Sequence, residues 1–361
     1  MVSVNPASTD ILPSVAAHLM LDGTDRLDLP AAKRYVIVLV DGLGWANLFD
    51  ASAVAPILRA MPAQLLDVGL PSTTATSLAS LMTGVFANQH GLVGYSFRTR
   101  PGFVMATMAW DDPSAKPGLT QQVQTWLERL GQHLPVAAVV PAVFADSGLT
   151  QAVLRGADFI GVPNERDWAG RVAQVAQVVA THALTYVYER GLDHVGHLRG
   201  VHSPAWVKRL ASVDSFIAQL RLALPGETAI LVTGDHGMVN VAPTHKVVVE
   251  DEPELAAGVD LIGGEARFRH LYTTDPDGVA RRWQNWLGER GEVRCREQAW
   301  QWFGGQPATQ QIVSRVGDVV VAALGDWAVL TLQRPKETTL VGMHGSLSQQ
   351  ERQVPLLKEL T

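Results

Sequence analysis

The chain has 361 residues, a formal net charge of −6, 47% hydrophobic and 18% charged residues, and a single cysteine, Cys295. Its length suits one large α/β domain or two domains. Its acidity and lack of a long basic run disfavour a nucleic-acid duplex or an anionic membrane as partner, and one cysteine excludes an intrachain disulfide. The leading stretch MVSVNPASTDILPSV lacks the basic start and continuous apolar core of a secretory leader, and no apolar run is long enough to span a bilayer, so a cytoplasmic protein is expected.

Met1 to Ala32, with Pro6, Pro13 and Pro30, predicts an irregular or partly helical lead-in. Tyr35 to Val40, YVIVLV, is a continuous, largely β-branched run and predicts a strand buried on both faces. Asp41, Gly42, Leu43 and Gly44 follow at once. A dinucleotide-binding turn would need a third glycine where Asn47 stands, so that cofactor class is disfavoured. In Pro71 to Gly84, PSTTATSLASLMTG, a Ser/Thr cluster precedes Leu78, Leu81 and Met82 at helical spacing, with Gly84 as the C-terminal cap. On this stretch alone the hydroxyls read as helix caps. The sharper alternative is Thr74 as a nucleophile, held where the positive helix end favours a phosphate. Asn88 to Phe97, NQHGLVGYSF, predicts a loop whose His90, Tyr95 and Phe97 can line a pocket.

A helix over Gln121 to Leu130, a strand over Val136 to Val140 and a helix over Arg171 to Leu184 come next, then a buried strand, Leu184 to Tyr188. That strand runs into GLDHVGHLRG. Asp193 and His197 would share a helix face, but Gly191, Gly196 and Gly200 predict a loop or short turn. Ser203 and Pro204 open a helix with Val207, Leu210, Phe216, Ile217 and Leu220 on or near its buried face and Asp214 on its solvated surface. Ala229 to Met238, AILVTGDHGM, is a strand ending in Gly234, Asp235, His236 and Gly237, and it completes a strand, helix, strand unit. From Val241 to Arg334 turn signals and Trp283, Trp286, Trp300, Trp302 and Trp327 predict a smaller cap, its tryptophans acting as core anchors. The chain returns with TTLVGMHGS, which carries His344. The expected architecture is α/β: a doubly wound, mostly parallel sheet flanked by helices, with residues 1–240 and 335–361 as the catalytic domain and 241–334 as an inserted cap subdomain.

Asp41, Asp193 and Asp235 each follow a predicted strand, and His197, His236 and His344 stand close to them or return late in the chain. Ligands of open α/β sheets gather at the carboxyl ends of strands. Three carboxylates and three imidazoles suffice for two sites of three protein ligands each, with positions left open, as in catalytic rather than structural zinc.

The ordered set VDGLG, PSTTATSLASLMTG, LDHVGH, VTGDHGM and GMHG resembles the alkaline phosphatase superfamily, most closely its branch of nucleotide pyrophosphatases and phosphodiesterases. The resemblance runs from Tyr35 through His344. It implies two divalent metal ions, expected to be zinc, one held by Asp193, His197 and His344, the other by Asp41, Asp235, His236 and the oxygen of Thr74. Counting back from Thr83 and Gly84 gives Thr74 as the nucleophile, with Thr73 the alternative. It also implies hydrolysis of a phosphodiester or nucleotide pyrophosphate through a covalent phosphothreonine. Ser77 stands where the family has an asparagine that helps hold the phosphate, and Thr76 where it commonly has proline. No C-x-P-x-R segment of the sulfatase type lies near Thr74. The nucleophile motif contains no arginine, which favours diesters or pyrophosphates over monoesters; a phosphomonoesterase, a phosphonate hydrolase, a phosphomutase or a non-catalytic metal and phosphate binder are the competing expectations. Trp45, Tyr95 and Phe97 are candidates to stack on a base, and Arg98, Arg100, Arg199, Lys246, His245 and His270 to contact phosphate.

Overall fold

In the computed structural model, which describes residues 6–19 and 22–361, Arg34–Val40 is a central strand of a seven-stranded sheet. Of the predicted lead-in, Ile11–His18 is helical, whereas Met1 to Asn5, Met20 and Leu21 lie outside the described residues. The sheet order is Ala63–Asp67, Gln353–Leu360, Thr228–Thr233, Arg34–Val40, Leu184–Glu189, Val136–Pro141, Asp158–Val162. Gln353–Leu360 runs antiparallel to both its neighbours, and the other pairings are parallel. The strands are apolar on both sides because both faces are covered. Tyr35, Ile37 and Leu39 join Tyr186, Leu231 and the helix Thr74–Thr83 in one core, while Val36, Val38 and Val40 join Val187, Val232 and the helix Pro204–Ala223 in another.

Several elements differ from expectation, each for a local reason. GLDHVGHLRG is not a loop: Gly191–Arg199 is an α-helix. Its glycines serve packing, since a Cβ on Gly196 would lie 2.6 Å from Met238 Sδ, and Gly200 ends the helix at a φ of 85°. The helix predicted from Gln121 begins only at Trp126, where Thr125 and Glu128 form a reciprocal capping box. The next helix spans Trp168–Val179, started by Asp167, whose carboxylate accepts from Gly170 N at 2.9 Å. Asp214 is buried rather than solvated, accepting from Leu58 N at 2.8 Å, and burial raises its pKa.

Within the segment expected as a cap, Leu261–Glu265, Phe268–Tyr272, Gly291–Cys295 and Val319–Ala323 form a four-stranded antiparallel sheet. One face packs on Trp283 and the helix Pro276–Leu287; the other, through Phe268, Val320 and Ala322, shares the main core with Trp300, Trp302 and Phe303. Arg267 donates to both oxygens of Glu351, at 2.7 and 2.8 Å, in full burial, which fastens this sheet to the C-terminal segment. Among the described residues no helix is long and apolar enough to cross a membrane.

The loops that follow Asp41 and Asp235 press against each other without room for side chains. A Cβ on Gly237 would lie 1.9 Å from the Gln350 carbonyl oxygen and 2.9 Å from Gly44 Cα. Gly237→Ala is expected to cost about 2 kcal/mol or more, as overpacking does. Gly118→Ala, with nothing within 4 Å of the new Cβ, is expected to stay within about 0.5 kcal/mol. Urea midpoints of the two variants measure the difference.

Candidate active site

Asp41 ends its strand, and its backbone carbonyl accepts from Asp193 N at 3.0 Å, which sets the start of the Gly191–Arg199 helix beside it. Buried Glu189 orients the same helix by accepting from Arg171 at 2.5 Å, from Arg209 and from Gly191 N at 2.8 Å. On that helix Asp193 and His197 are four residues apart, and Asp193 Oδ1 lies 3.3 Å from His197 Nε2. Asp235 and His236 follow the strand Thr228–Thr233. Asn47 ties their loop down, donating to Met238 O and accepting from Met238 N, both at 3.1 Å. His344 is held by the loop before the Thr74–Thr83 helix: Ser72 N donates to Gly345 O at 3.1 Å, and Ser72 O faces His344 Nδ1 at 2.9 Å.

The six predicted metal ligands converge. Atoms of Asp193, His197 and His344 lie within 4.8 Å of one another, as do atoms of Asp41, Asp193 and His236. His236 Nε2 is 3.4 Å from Asp41 Oδ1, 3.5 Å from Asp235 Oδ2 and 3.2 Å from Thr74 Oγ1. The His236 and His344 rings stack with centroids 3.5 Å apart, so the two groups of ligands adjoin.

The protonation pattern of this cluster suits cations. His197 Nδ1 lies 2.8 Å from Gly342 O, His236 Nδ1 3.0 Å from Gly237 O and His344 Nδ1 2.9 Å from Ser72 O. A carbonyl can only accept, so each Nδ1 carries the proton and each Nε2 lone pair faces the cluster. Asp41 Oδ1, Asp193 Oδ1 and Asp235 Oδ2 are buried there without a hydrogen-bond donor. The other oxygens of Asp41 and Asp235 are engaged where the cluster is braced: Tyr188 donates to Asp41 Oδ2, and Gly42 N and His236 N donate to Asp235 Oδ1 at 3.1 and 3.0 Å. Burial, then the charges of Asp235 and Asp193, drives the Asp41 pKa well up, and burial raises that of Asp235. Burial, then His236 and His197, drives His344 well down. Orphaned carboxylate oxygens alternating with imidazole Nε2 atoms are a donor set that fits divalent metal ions.

A profile described as type I phosphodiesterase / nucleotide pyrophosphatase matches residues 35–347. The chain belongs to this family. The solved structures that resemble it include murine ectonucleotide pyrophosphatase / phosphodiesterase 5, in an inactive threonine-to-alanine form complexed with AMP, at 17% identity and a TM-score of 0.70 over 90% of this chain and 87% of that one. The human protein of the same name matches at 16% identity and a TM-score of 0.71, over the same shares of the two chains. Phosphonoacetate hydrolase from Sinorhizobium meliloti 1021, complexed with phosphonoformate, matches at 19% identity and a TM-score of 0.68 over 91% of each chain. The catalytic subunits of GPI ethanolamine phosphate transferase 3 from Mus musculus and Homo sapiens are both 44% identical over 89 residues, 25% of this chain; the match spans only 8% of their length.

Thr74 is the first residue of its helix and Thr73 the residue before it, and Thr73 makes no side-chain capping bond. Of the two hydroxyls, it is Thr74 Oγ1 that reaches His236. Ser77 is buried one turn on, its Oγ without a partner. Two recesses flank the cluster. A narrow apolar one of about 40 Å³ lies between Thr74, Leu78, Phe144, Leu149, Tyr186 and Tyr188. A larger one of about 470 Å³ lies beside His197 and His344 and includes Tyr95 and Glu265. Phe97 is a correction: it is fully buried in the core on the strand Ser96–Arg100 and offers no face to a ligand. Trp45 packs on Phe49, with ring centroids 4.4 Å apart, and lines neither recess. His90 and His270 are structural. His90 lies 3.0 Å from Ser80 Oγ and accepts from Leu92 N, while His270 bridges Val93 O and Gly317 N, and burial pushes their pKa values down to about 3 and 4. His245 pairs with Asp326 at 2.9 Å, Arg100 with Asp112 at 3.4 Å, and Arg98 lies over the Tyr272 ring.

Tyr188, Asn47 and Glu265 escaped the sequence reading. Tyr188 had a signal, since on an alternating strand Tyr186 and Tyr188 share a face; the other two act across long sequence separations.

Asp193 stands with His197 and His344 and its carboxylate also lies within reach of Asp41 and His236, so Asp193→Asn is expected to weaken one ion at least about tenfold and the neighbouring ion by less, whereas His197→Ala weakens one and spares the other. Zinc titration calorimetry of the two variants distinguishes this from a cluster in which the Asp193 charge is felt by one ion alone.

Proposed function

We propose that the chain is a metal-dependent hydrolase of phosphodiester or nucleotide pyrophosphate bonds in which Thr74 is the nucleophile. The observation that carries this reading is the position of Thr74 Oγ1, 3.2 Å from His236 Nε2 and facing the carboxylate cluster. Two divalent ions, which we take to be zinc, one held by Asp193, His197 and His344 and the other by Asp41, Asp235 and His236, would supply the positive charge that favours the Thr74 alkoxide and offsets charge on the phosphate.

The chain's own groups account for the remaining steps. Thr74 Oγ1 attacks phosphorus, the bond from phosphorus to the leaving oxygen breaks, and the proton lost by the Thr74 hydroxyl goes, through solvent, to the leaving group, while Thr74 carries the phosphoryl group with its remaining substituent. Water then attacks the same phosphorus, the bond to Thr74 Oγ1 breaks, and the hydroxyl is restored. The free N–H groups at the start of the Thr74–Thr83 helix and its positive end face the bound phosphate. Tyr188 holds Asp41 in place, and Ser72 holds His344. The AMP complex of the murine neighbour and its inactive threonine-to-alanine form support a nucleotide-type ester and a threonine nucleophile.

Thr74→Ala is expected to lower kcat/KM on bis-p-nitrophenyl phosphate by about 10³-fold or more, with Thr73→Ala costing less than about tenfold. Acid quench during turnover of that diester, followed by peptide mass spectrometry, should find the p-nitrophenyl phosphoryl group on Thr74. An active Thr74→Ala enzyme, or an adduct on Thr73, would contradict the assignment.

A further inference from the structure

The two recesses beside the cluster differ in what they can hold. The apolar recess of about 40 Å³ admits little more than a water molecule or a methyl group. The recess of about 470 Å³ lies in the range of small-molecule sites, so the bulk of a substrate substituent belongs there. Its wall is not neutral. Arg334 and Lys336 line it, and among the described residues neither forms an ion pair with a carboxylate. Of the two carboxyl groups in the same wall, Glu337 is committed to Arg269 and Glu265 is buried against Gly345.

The loop that carries them is braced at both ends. Thr331 and Leu332 N donate to Glu250, at 2.5 and 3.0 Å, at the start of their loop. Lys246 Nζ donates to Thr338 O at 3.1 Å and Leu340 O at 2.6 Å at its end. The Arg334 guanidinium lies over the Tyr95 ring, 5.3 Å from its centroid. Two unpaired cations on a braced loop, next to the reacting centre, are a ready receptor for negative charge.

We propose that this recess selects phosphate esters or phosphonates whose substituent carries a second anionic group, a carboxylate or a further phosphate, bound by Arg334 and Lys336. The proposal deepens the hydrolase reading and rests on it for the catalytic arm of its test. That arm compares ethyl p-nitrophenyl phosphate with carboxymethyl p-nitrophenyl phosphate, on the metal-replete full chain. The carboxymethyl ester is expected to show at least a tenfold higher kcat/KM, and the ratio should fall to within twofold in Arg334→Met/Lys336→Met and recover in part in Arg334→Lys. Lys208→Met, an exposed charge remote from the recess, should keep the full ratio. The second arm needs no turnover: calorimetry should show carboxymethylphosphonate binding at least tenfold tighter than methylphosphonate, with the preference lost in the double variant. If neither ester is hydrolysed the hydrolase reading fails, and the binding arm still decides this proposal. Equal binding of the two phosphonates, or a preference that survives the double variant, would overturn it.

Discussion

The structure turns on three carboxylate oxygens, of Asp41, Asp193 and Asp235, buried together with no hydrogen-bond donor. In water each would be solvated; here they face one another and the Nε2 lone pairs of three histidines, an arrangement of electron-rich atoms that repels itself unless positive charge enters. The upward shifts of Asp41 and Asp235 and the downward shift of His344 express that tension. The surroundings keep the groups from relaxing away. Backbone amides and Tyr188 occupy the far oxygens of Asp235 and Asp41, backbone carbonyls fix each Nδ1, and Gly44 and Gly237 let the two loops pack in direct backbone contact. This is preorganisation for cation binding rather than a source of stability.

Much of this was legible in the sequence because parallel strands translate chain position into spatial position. Residues that follow YVIVLV, LTYVY and AILVT arrive at one edge of one sheet, so Asp41, Asp193 and Asp235 meet although they are separated by up to 194 positions. Thr74 was legible in the same way, as the first turn of a helix ending at Gly84. What escaped was set by contacts that no local pattern encodes. Glycines at 191, 196 and 200 read as loop signals, yet they let a helix pack closely on Met238. Asp214 looked solvated until Leu58 N met it. Phe97, in a polar-looking loop, went to the core because the inserted sheet covers it.

The insertion shapes more than its own fold. Arg267, fully buried, reaches across to Glu351, and Glu351 also accepts from Ser346 N at 3.0 Å, two residues beyond His344. Glu265, at the end of a strand of the four-stranded sheet, lies against Gly345, where an added Cβ would come 2.9 Å from its carboxyl carbon. That sheet therefore braces the segment that carries His344, and it contributes a wall of the larger recess. The proposed metal ligands gather about the carboxyl ends of the central strands, while the cations proposed to choose among substrates, Arg334 and Lys336, come from the loop that lines the larger recess.

Anomalous diffraction from zinc-soaked crystals of the full chain tests the central claim most directly. The account predicts two zinc peaks about 3.5–4 Å apart, one among Asp193, His197 and His344, the other among Asp41, Asp235 and His236 and in contact with Thr74 Oγ1. A cluster without zinc, or an ion beside Asp235 and His236 that leaves Thr74 out of reach, would contradict it.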